Sequence, residues 1–381
     1  MKVQSSQSSS TPLRLFEPPF GEMGRLADLE ERVINGNIFT GDAVAEMERA
    51  LAKYLGIDRP GKVVAVSSGT KALEYIFKIP RKQGFKVLVP SLTMAATPLA
   101  LEAAGLIPKF VDVGPDLLVN LEILKESMDE RVGAVCVVDY AGRLPDIDGI
   151  RKWTLDNELL LFEDAAHSFG ARRGDRLAMT GVSGAATSFH PVKPLPGLGG
   201  GLFVCGQDSP RFEKEARERR YYGFTGRDGH KFDIKDWGEN AYMSDLSAEV
   251  VNYFLDRVDK HNAKRRELAF YYNNLIDHSK LSDFFTPLRY DEGSTYHLFP
   301  VICDRELDRD KVIEQLGEAG IQAGAHYIPC HWFTRWREAE AGPITHLEGV
   351  AKRLLVLPCH LGMTLFDVDR VLNALALCTW K

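Results

Sequence analysis

The sequence predicts an α/β protein: a large domain with a mainly parallel mixed sheet between helices, then a smaller C-terminal α+β domain. Three observations carry this. Short apolar runs alternate with helix-period segments from Val63 to Val204, the pattern of parallel strands buried on both faces. The run Leu159-Leu160-Leu161-Phe162 ends in Glu163-Asp164, which puts an acid where open α/β sheets place their ligands. After Gly206 the alternation gives way to charged and polar stretches, then to long helical spacing.

Taken in order, residues 1–11 are Ser/Gln-rich without an apolar run, so a disordered tail is expected and not a signal peptide. Arg25 to Val33 and Ala43 to Leu55 have helical spacing, with Val44, Met47, Leu51 and Tyr54 on one face. Asn35 to Gly41 between them reads as a glycine-containing loop. Expected strands are Val63–Val66, Lys86–Val89, Ile107–Val111, Ala134–Val138, the Leu159 run, Ala185–Phe189 and Leu202–Val204. Expected helices are Lys71–Ile79, Ala95–Ala104, Leu121–Met128 and Asp148–Asp156. Arg211 to Tyr221 is highly charged, and Gly223 to Gly238 reads as a polar, mobile loop. Met243 to Ile276 is one long helix or two in tandem. Strands at Tyr296–Val301 and Ile321–Tyr327 and helices at Asp308–Ala319 and Val368–Leu377 complete the chain. The expected boundary lies near residue 255, giving domains 12–255 and 256–381.

The bulk numbers narrow the function. The chain has 381 residues and a formal net charge of −6, so nothing draws it globally to nucleic acid or anionic membrane. No apolar run approaches the ~20 residues of a membrane span. The six cysteines are scattered without a CxxC pair, which points to reduced thiols of a cytoplasmic protein and not to a disulfide or metal framework.

The chemistry gathers in Glu163-Asp164-Ala165-Ala166-His167-Ser168 and Ser188-Phe189-His190-Pro191-Val192-Lys193, the latter followed by Gly197 and Gly199-Gly200-Gly201. An acid, a hydroxyl and a lysine beside a flexible turn suit a phosphorylated pyridine aldehyde. The lysine takes the aldehyde as a Schiff base, the hydroxyl holds phosphate, and the acid keeps the ring nitrogen protonated. Asp164 and Ala166 are two apart, on one side of an extended segment. His167 could bond the ring's phenolic oxygen or be structural. Ser68-Gly69-Thr70 opens a helix after a strand and could cradle phosphate at the helix N-terminus; Ser68 could equally be an ordinary N-cap. Met94 follows a strand end where its sulfur could cover an aromatic ring, a contact worth roughly 0.3–1.5 kcal/mol, or it could be a core methionine.

Several stretches in order resemble the DegT/DnrJ/StrS-type sugar aminotransferases, pyridoxal-phosphate enzymes of the aspartate-aminotransferase fold (fold type I). They are NIFTGDAVAEMERALAKYLG, SSGTKAL, PSLTMAATPLALEAAGLIPKFVDV, VDYAGRLPDIDGI, EDAAHSFGA, SFHPVKPLPGLGGG, GENAYMSDL, YHLFPV, HYIPCH and LPCH, and they run from about Pro18 to the C-terminus. The resemblance implies Lys193 as the Schiff-base lysine and Asp164 as partner of the ring nitrogen. It implies His167, where the family usually has glutamine, near the phenolic oxygen, and Gly69, Thr70 and Ser188 on the phosphate. Asn240 would reach the phosphate of a neighbouring subunit, so the active site would need a homodimer. Tyr327 and His331 would face the sugar nucleotide. Three positions depart from the family: Met94 replaces the usual stacking aromatic, Asp139 stands where histidine is common, and Tyr242 where arginine is usual.

The expected activity is transfer of an amino group from an amino acid, L-glutamate by family resemblance, to a keto-deoxy sugar nucleotide. Pyridoxal 5'-phosphate would be the cofactor, alternating with its pyridoxamine form. Two alternatives are a sugar dehydratase or epimerase using the same cofactor, and a non-catalytic binding or regulatory protein. Lys193 favours transfer over the dehydratase branch, which has histidine at that position.

Overall fold

The computed structural model describes residues 12–23, 41–79, 84–206, 210–228 and 231–378. The helix expected at Arg25 to Val33, and the Asn35 loop up to Thr40, lie outside the described residues. Helix α1 (Asp42–Tyr54) leads to strand β1 (Val63–Val66) and helix α2 (Gly69–Phe77). The βα alternation continues through β2 (Lys86–Pro90), α3 (Ala96–Ala103), β3 (Ile107–Val111), α4 (Leu121–Glu126), β4 (Val132–Val138), α5 (Ile147–Asp156) and β5 (Leu160–Asp164). Then come β6 (Gly184–Ser188) and β7 (Gly201–Cys205), after a short hairpin at 172–177.

These seven strands form one sheet in the order β1-β7-β6-β5-β4-β2-β3. Only β7 runs against its neighbours β1 and β6; β6, β5, β4, β2 and β3 pair in parallel. Both faces are buried, and the strand residues alternate between them. Ala65, Leu88, Val135, Val137, Leu161, Ala185 and Leu202 face α1 and the helix at 245–255. Val64, Val66, Val89, Cys136, Phe162, Ala186 and Phe203 face α2 and α3. Near-continuous apolar strands are what two covered faces require.

One consequence positions the site. The carboxyl ends of β1, β2, β4, β5 and β6 lie along one edge of the sheet, and the antiparallel β7 begins there at Gly201, opposite Val66 and Ser188.

Beyond the sheet, α6 (Pro210–Arg219) leads to a hairpin of β8 (Phe224–Asp228) and β9 (Lys231–Ile234). This corrects the loop expected over Gly223 to Gly238. Strand β9 is exposed along its whole length, so no buried face left the alternation that betrays a strand. The long helical stretch is two helices, α7 (Asp245–Leu255) and α8 (Val258–Asp277), broken at Asp256-Arg257. Strands β10 (Phe285–Pro287), β11 (Phe299–Cys303) and β12 (Leu354–Leu357) make a three-stranded antiparallel sheet. Helices α9 (Arg309–Glu318), α10 (His346–Val350) and α11 (Leu365–Cys378) accompany it. Its apolar cluster draws almost wholly on residues 268–378, joined by Leu13.

The strand expected at Ile321 to Tyr327 does not form. The segment pairs only at isolated positions, Ile321 with Leu13 and Gly324 with Val356, so its backbone serves two different neighbours. All six cysteines are buried thiols, and none is in a disulfide. Among the described residues, no helix is long and apolar enough to cross a membrane.

Candidate active site

A cavity of about 430 Å³ opens at the carboxyl edge of the large sheet. Its wall brings together Gly69, Thr70, Met94, Asp164, Ala166, His167, Ser188, Lys193 and Tyr327, segments far apart in sequence. The topology explains the meeting, because each of the first eight follows or ends a strand at that edge.

At one end the chain is packed backbone to backbone. A Cβ added to Gly69 would lie 2.6 Å from the Ser188 Cβ, and one on Gly201 would lie 2.4 Å from the Ser68 carbonyl oxygen. Only glycine permits these approaches, and Gly200 adopts φ +107°, a region open mainly to glycine. Ser68 caps α2, its hydroxyl accepting from the Lys71 N–H at 3.1 Å. The capping role is therefore real, and the same turn also lines the cavity. The first N–H groups of a helix have no partner within it and carry partial positive charge, so this end suits an anionic group.

Asp164 ends β5 on the side of Phe162, and it is 6% exposed. Its Oδ2 accepts from the Thr97 hydroxyl at 2.7 Å and its Oδ1 from the Ala166 N–H at 3.1 Å. Burial pushes its carboxyl above the ordinary range; the Thr97 and Ala166 bonds and the Lys193 charge pull the other way. Lys193 stands in a turn closed by its N–H donating to the His190 carbonyl at 2.9 Å. Burial pushes its amine down to about 8, opposed by Asp164.

The wall opposite is aromatic. His167 Nε2 lies 3.1 Å from the Tyr327 hydroxyl, and its ring centroid is 4.5 Å from that of His297. His167 Nδ1 is buried with no hydrogen-bond partner among the described residues. Burial, reinforced by Lys193, drives His167 and His297 well below the ordinary histidine value and lowers His326 as well. These imidazoles are neutral at pH 7. Burial and the Asp164 charge push the Tyr327 phenol up, so it too is neutral. Met94 is 54% exposed at the mouth, which removes the core-methionine alternative.

Two expected residues lie elsewhere. His331 does not line the cavity; Ser91 Oγ holds its Nδ1 at 2.6 Å and Glu348 holds its Nε2 at 2.7 Å, so both ring nitrogens are engaged. Asn240 is exposed and pairs with Tyr221, outside the cavity of its own chain. Tyr242 packs on Tyr221 with ring centroids 5.3 Å apart.

Behind β5 lies a second polar cluster. Asp139 and Glu163 are both 0% exposed. The Ser168 hydroxyl donates to Asp139 Oδ2. Glu163 pairs with Arg176 at 2.6 Å and accepts from the Met179 N–H at 3.1 Å. Burial, then the neighbouring Glu163, raises the Asp139 carboxyl far above its ordinary value. Asp139 Oδ1 and Glu163 Oε1 have no hydrogen-bond partner among the described residues.

Sequence reasoning gave no role to Thr93, Thr97, His297 or His326. The four-residue spacing of Thr93 and Thr97 was a readable signal; their approach to Asp164 depends on the strand order.

A relative from Campylobacter jejuni subsp. jejuni serotype O:2, UDP-4-amino-4,6-dideoxy-N-acetyl-beta-L-altrosamine transaminase, is 28% identical over 357 residues, covering 91% of each chain. PseC of Helicobacter pylori, an aminotransferase involved in the biosynthesis of pseudoaminic acid, superposes with a TM-score of 0.89 at 21% identity, covering 97% of this chain and 99% of that one. The PLP form of the sugar aminotransferase Spr1654 of Streptococcus pneumoniae gives a TM-score of 0.84 at 22% identity, covering 96% and 98%. Its profile matching residues 22–376, the DegT/DnrJ/EryC1/StrS aminotransferase family is the one to which this chain belongs.

Proposed function

We propose that the protein is a pyridoxal-phosphate-dependent aminotransferase that moves an amino group from an amino acid, L-glutamate by family resemblance, onto a keto-deoxy sugar nucleotide. The observation that carries this is Lys193 and Asp164 in one buried cavity, with a glycine-lined helix N-terminus at its end. The residues present fit the cofactor: a backbone cradle at Gly69 and Gly201 too close for any side chain, an acid on the ring side, and the unpartnered Nδ1 of His167. When bound, pyridoxal phosphate supplies an electron sink for the carbon from which a proton leaves.

The chain's residues do the rest. With its value near 8, about a tenth of the Lys193 amine is neutral at pH 7, against fewer than about one in a thousand for an ordinary lysine. With the cofactor bound, Nζ would therefore be able to accept the proton leaving the donor's α-carbon and to give it back. Asp164 would accept a hydrogen bond from the protonated ring nitrogen. Ser188, Gly69 and Thr70 hold phosphate. Neutral His167 and Tyr327 donate or accept hydrogen bonds without adding charge.

A second copy of the chain belongs to this reading. The hairpin exposes Phe232 and Ile234, with Trp237 and Leu198 also exposed, and Asn240 lies outside its own cavity. The division at about residue 255 is supported by the helix break at Asp256-Arg257 and by the separate C-terminal cluster.

The test is a full-chain assay with glutamate and a panel of keto-sugar nucleotides. One 2-oxoglutarate released per aminated sugar is the expected result. Turnover of the sugar with no amino balance points to a dehydratase or epimerase; no half-reaction with any donor points to a binding protein.

A further inference from the structure

We propose that Thr97, backed by Thr93, is a positioning residue that fixes the orientation and negative charge of Asp164. This rests on reading the cavity as the cofactor site. Thr97 is 0% exposed and does not line the cavity, whereas its two hydroxyl-bonded partners, Asp164 and Thr93, do, so it acts there through them. Its hydroxyl lies 2.7 Å from Asp164 Oδ2 and 2.9 Å from Thr93 Oγ1.

An ionised carboxylate only accepts hydrogen bonds, so the Thr97 proton points at Asp164. The Thr97 oxygen is then free to accept, and the Thr93 proton points at Thr97. The direction of this two-hydroxyl chain is fixed as long as Asp164 is charged. Together with the Ala166 N–H on Oδ1, it grips the carboxyl at both oxygens and leaves the remaining lone pairs for the cavity.

The grip matters because Asp164 is buried, 6% exposed. Burial alone favours the neutral acid, which cannot stabilise a protonated ring nitrogen. Thr97 opposes that, and it reaches Asp164 because α3, which starts one residue before it, packs on the same sheet face as Phe162. The chain has an outer anchor too: the Cys330 thiol donates to the Thr93 carbonyl at 3.4 Å, and the Cys330 N–H donates to the Ser91 carbonyl at 2.8 Å. The segment carrying Tyr327 thereby braces the support of Asp164.

The experiment titrates Asp164 itself in the full chain. Carbon-13 labelling of aspartate Cγ, with the resonance assigned through Asp164→Asn, reads the carboxyl in the cofactor-free protein. Nitrogen-15-labelled pyridoxal phosphate reads the ring nitrogen in the loaded one. Thr97→Val should raise the proton affinity of Asp164 about tenfold, the effect of one lost hydrogen bond to a charged group, and should release part of the ring-nitrogen proton at neutral pH. Thr97→Ser keeps the hydroxyl and should restore both signals. Thr93→Val should give a smaller shift in the same direction, and it carries the test alone if Thr97→Val does not fold. Unshifted Asp164 titration in the folded valine variants overturns the proposal. If the wild-type chain binds no pyridoxal phosphate, the cofactor reading fails, while the carbon titration still decides the role of Thr97.

Discussion

On the cavity side of β5, Asp164 accepts two hydrogen bonds and faces a lysine across a ligand-sized space. On the opposite side, Glu163 is sealed in with Arg176, beside a buried Asp139 whose carboxyl is raised far above its ordinary value. Adjacent residues of one strand thus serve different ends. The front carboxyl has bonding capacity to spare, which is what a ligand partner needs. The rear Glu163 is answered by the Arg176 cation, which is what a buried charge needs to persist. Desolvation acts on both; the donors around each decide the outcome.

Five variants break or sharpen this contrast. Lys193→Ala removes the front amine and should cost about 10⁴-fold in transfer, with loss of visible absorbance from lysine-bound cofactor. Activity retained at the wild-type level would end the aminotransferase reading. Arg176→Met strips the rear cluster of its cation and should destabilise the fold by about 3–5 kcal/mol, read as the urea midpoint. Its effect on kcat in the surviving folded protein should be minor. Asp164→Asn keeps the shape of the front acid but not its charge, and kcat/KM should fall about 10²–10³-fold with an unchanged unfolding midpoint.

Asp139→Asn tests the raised carboxyl of Asp139 through pH. The folded value of Asp139 is raised, so above the ordinary aspartate range the folded chain holds a proton that the unfolded chain has released. Stability from this group is complete at low pH and falls as pH climbs toward the folded value, by up to about 1.4 kcal/mol per unit. The asparagine variant should lose that slope, so its stability relative to wild type should improve as pH rises; parallel curves would contradict the raised Asp139 carboxyl. Met94→Tyr is the mildest. It should tighten cofactor binding by about 1 kcal/mol or less, measured by equilibrium dialysis, with no change in the rear cluster.

Much of the large sheet was legible because its strands are apolar on both faces and end in turn residues. Asp164 and Ser188 end such strands and Lys193 follows one, which made their meeting at the carboxyl edge of the sheet legible. The support of Asp164 was not: Thr97 meets it only because β2 and β5 flank β4, an order that local spacing does not contain. Strand β12 was missed although Leu354-Leu355-Val356-Leu357 is an apolar run, because no alternating partner pattern flanks it. His331 looked like a ligand-facing histidine, yet Ser91 and Glu348 occupy both its nitrogens, contacts set by how the C-terminal part docks. The β8–β9 hairpin was hidden for the opposite reason, an exposed strand with no buried face to mark it.

The burial of all six cysteines turns the molecule into its own gauge of opening. A water-soluble alkylating reagent should find no target while the chain is closed. Mass-resolved labelling over time would then rank regions by how often they breathe. Modification of Cys330 ahead of Cys136 would mean that the segment bracing the mouth loosens while the sheet beneath it stays shut.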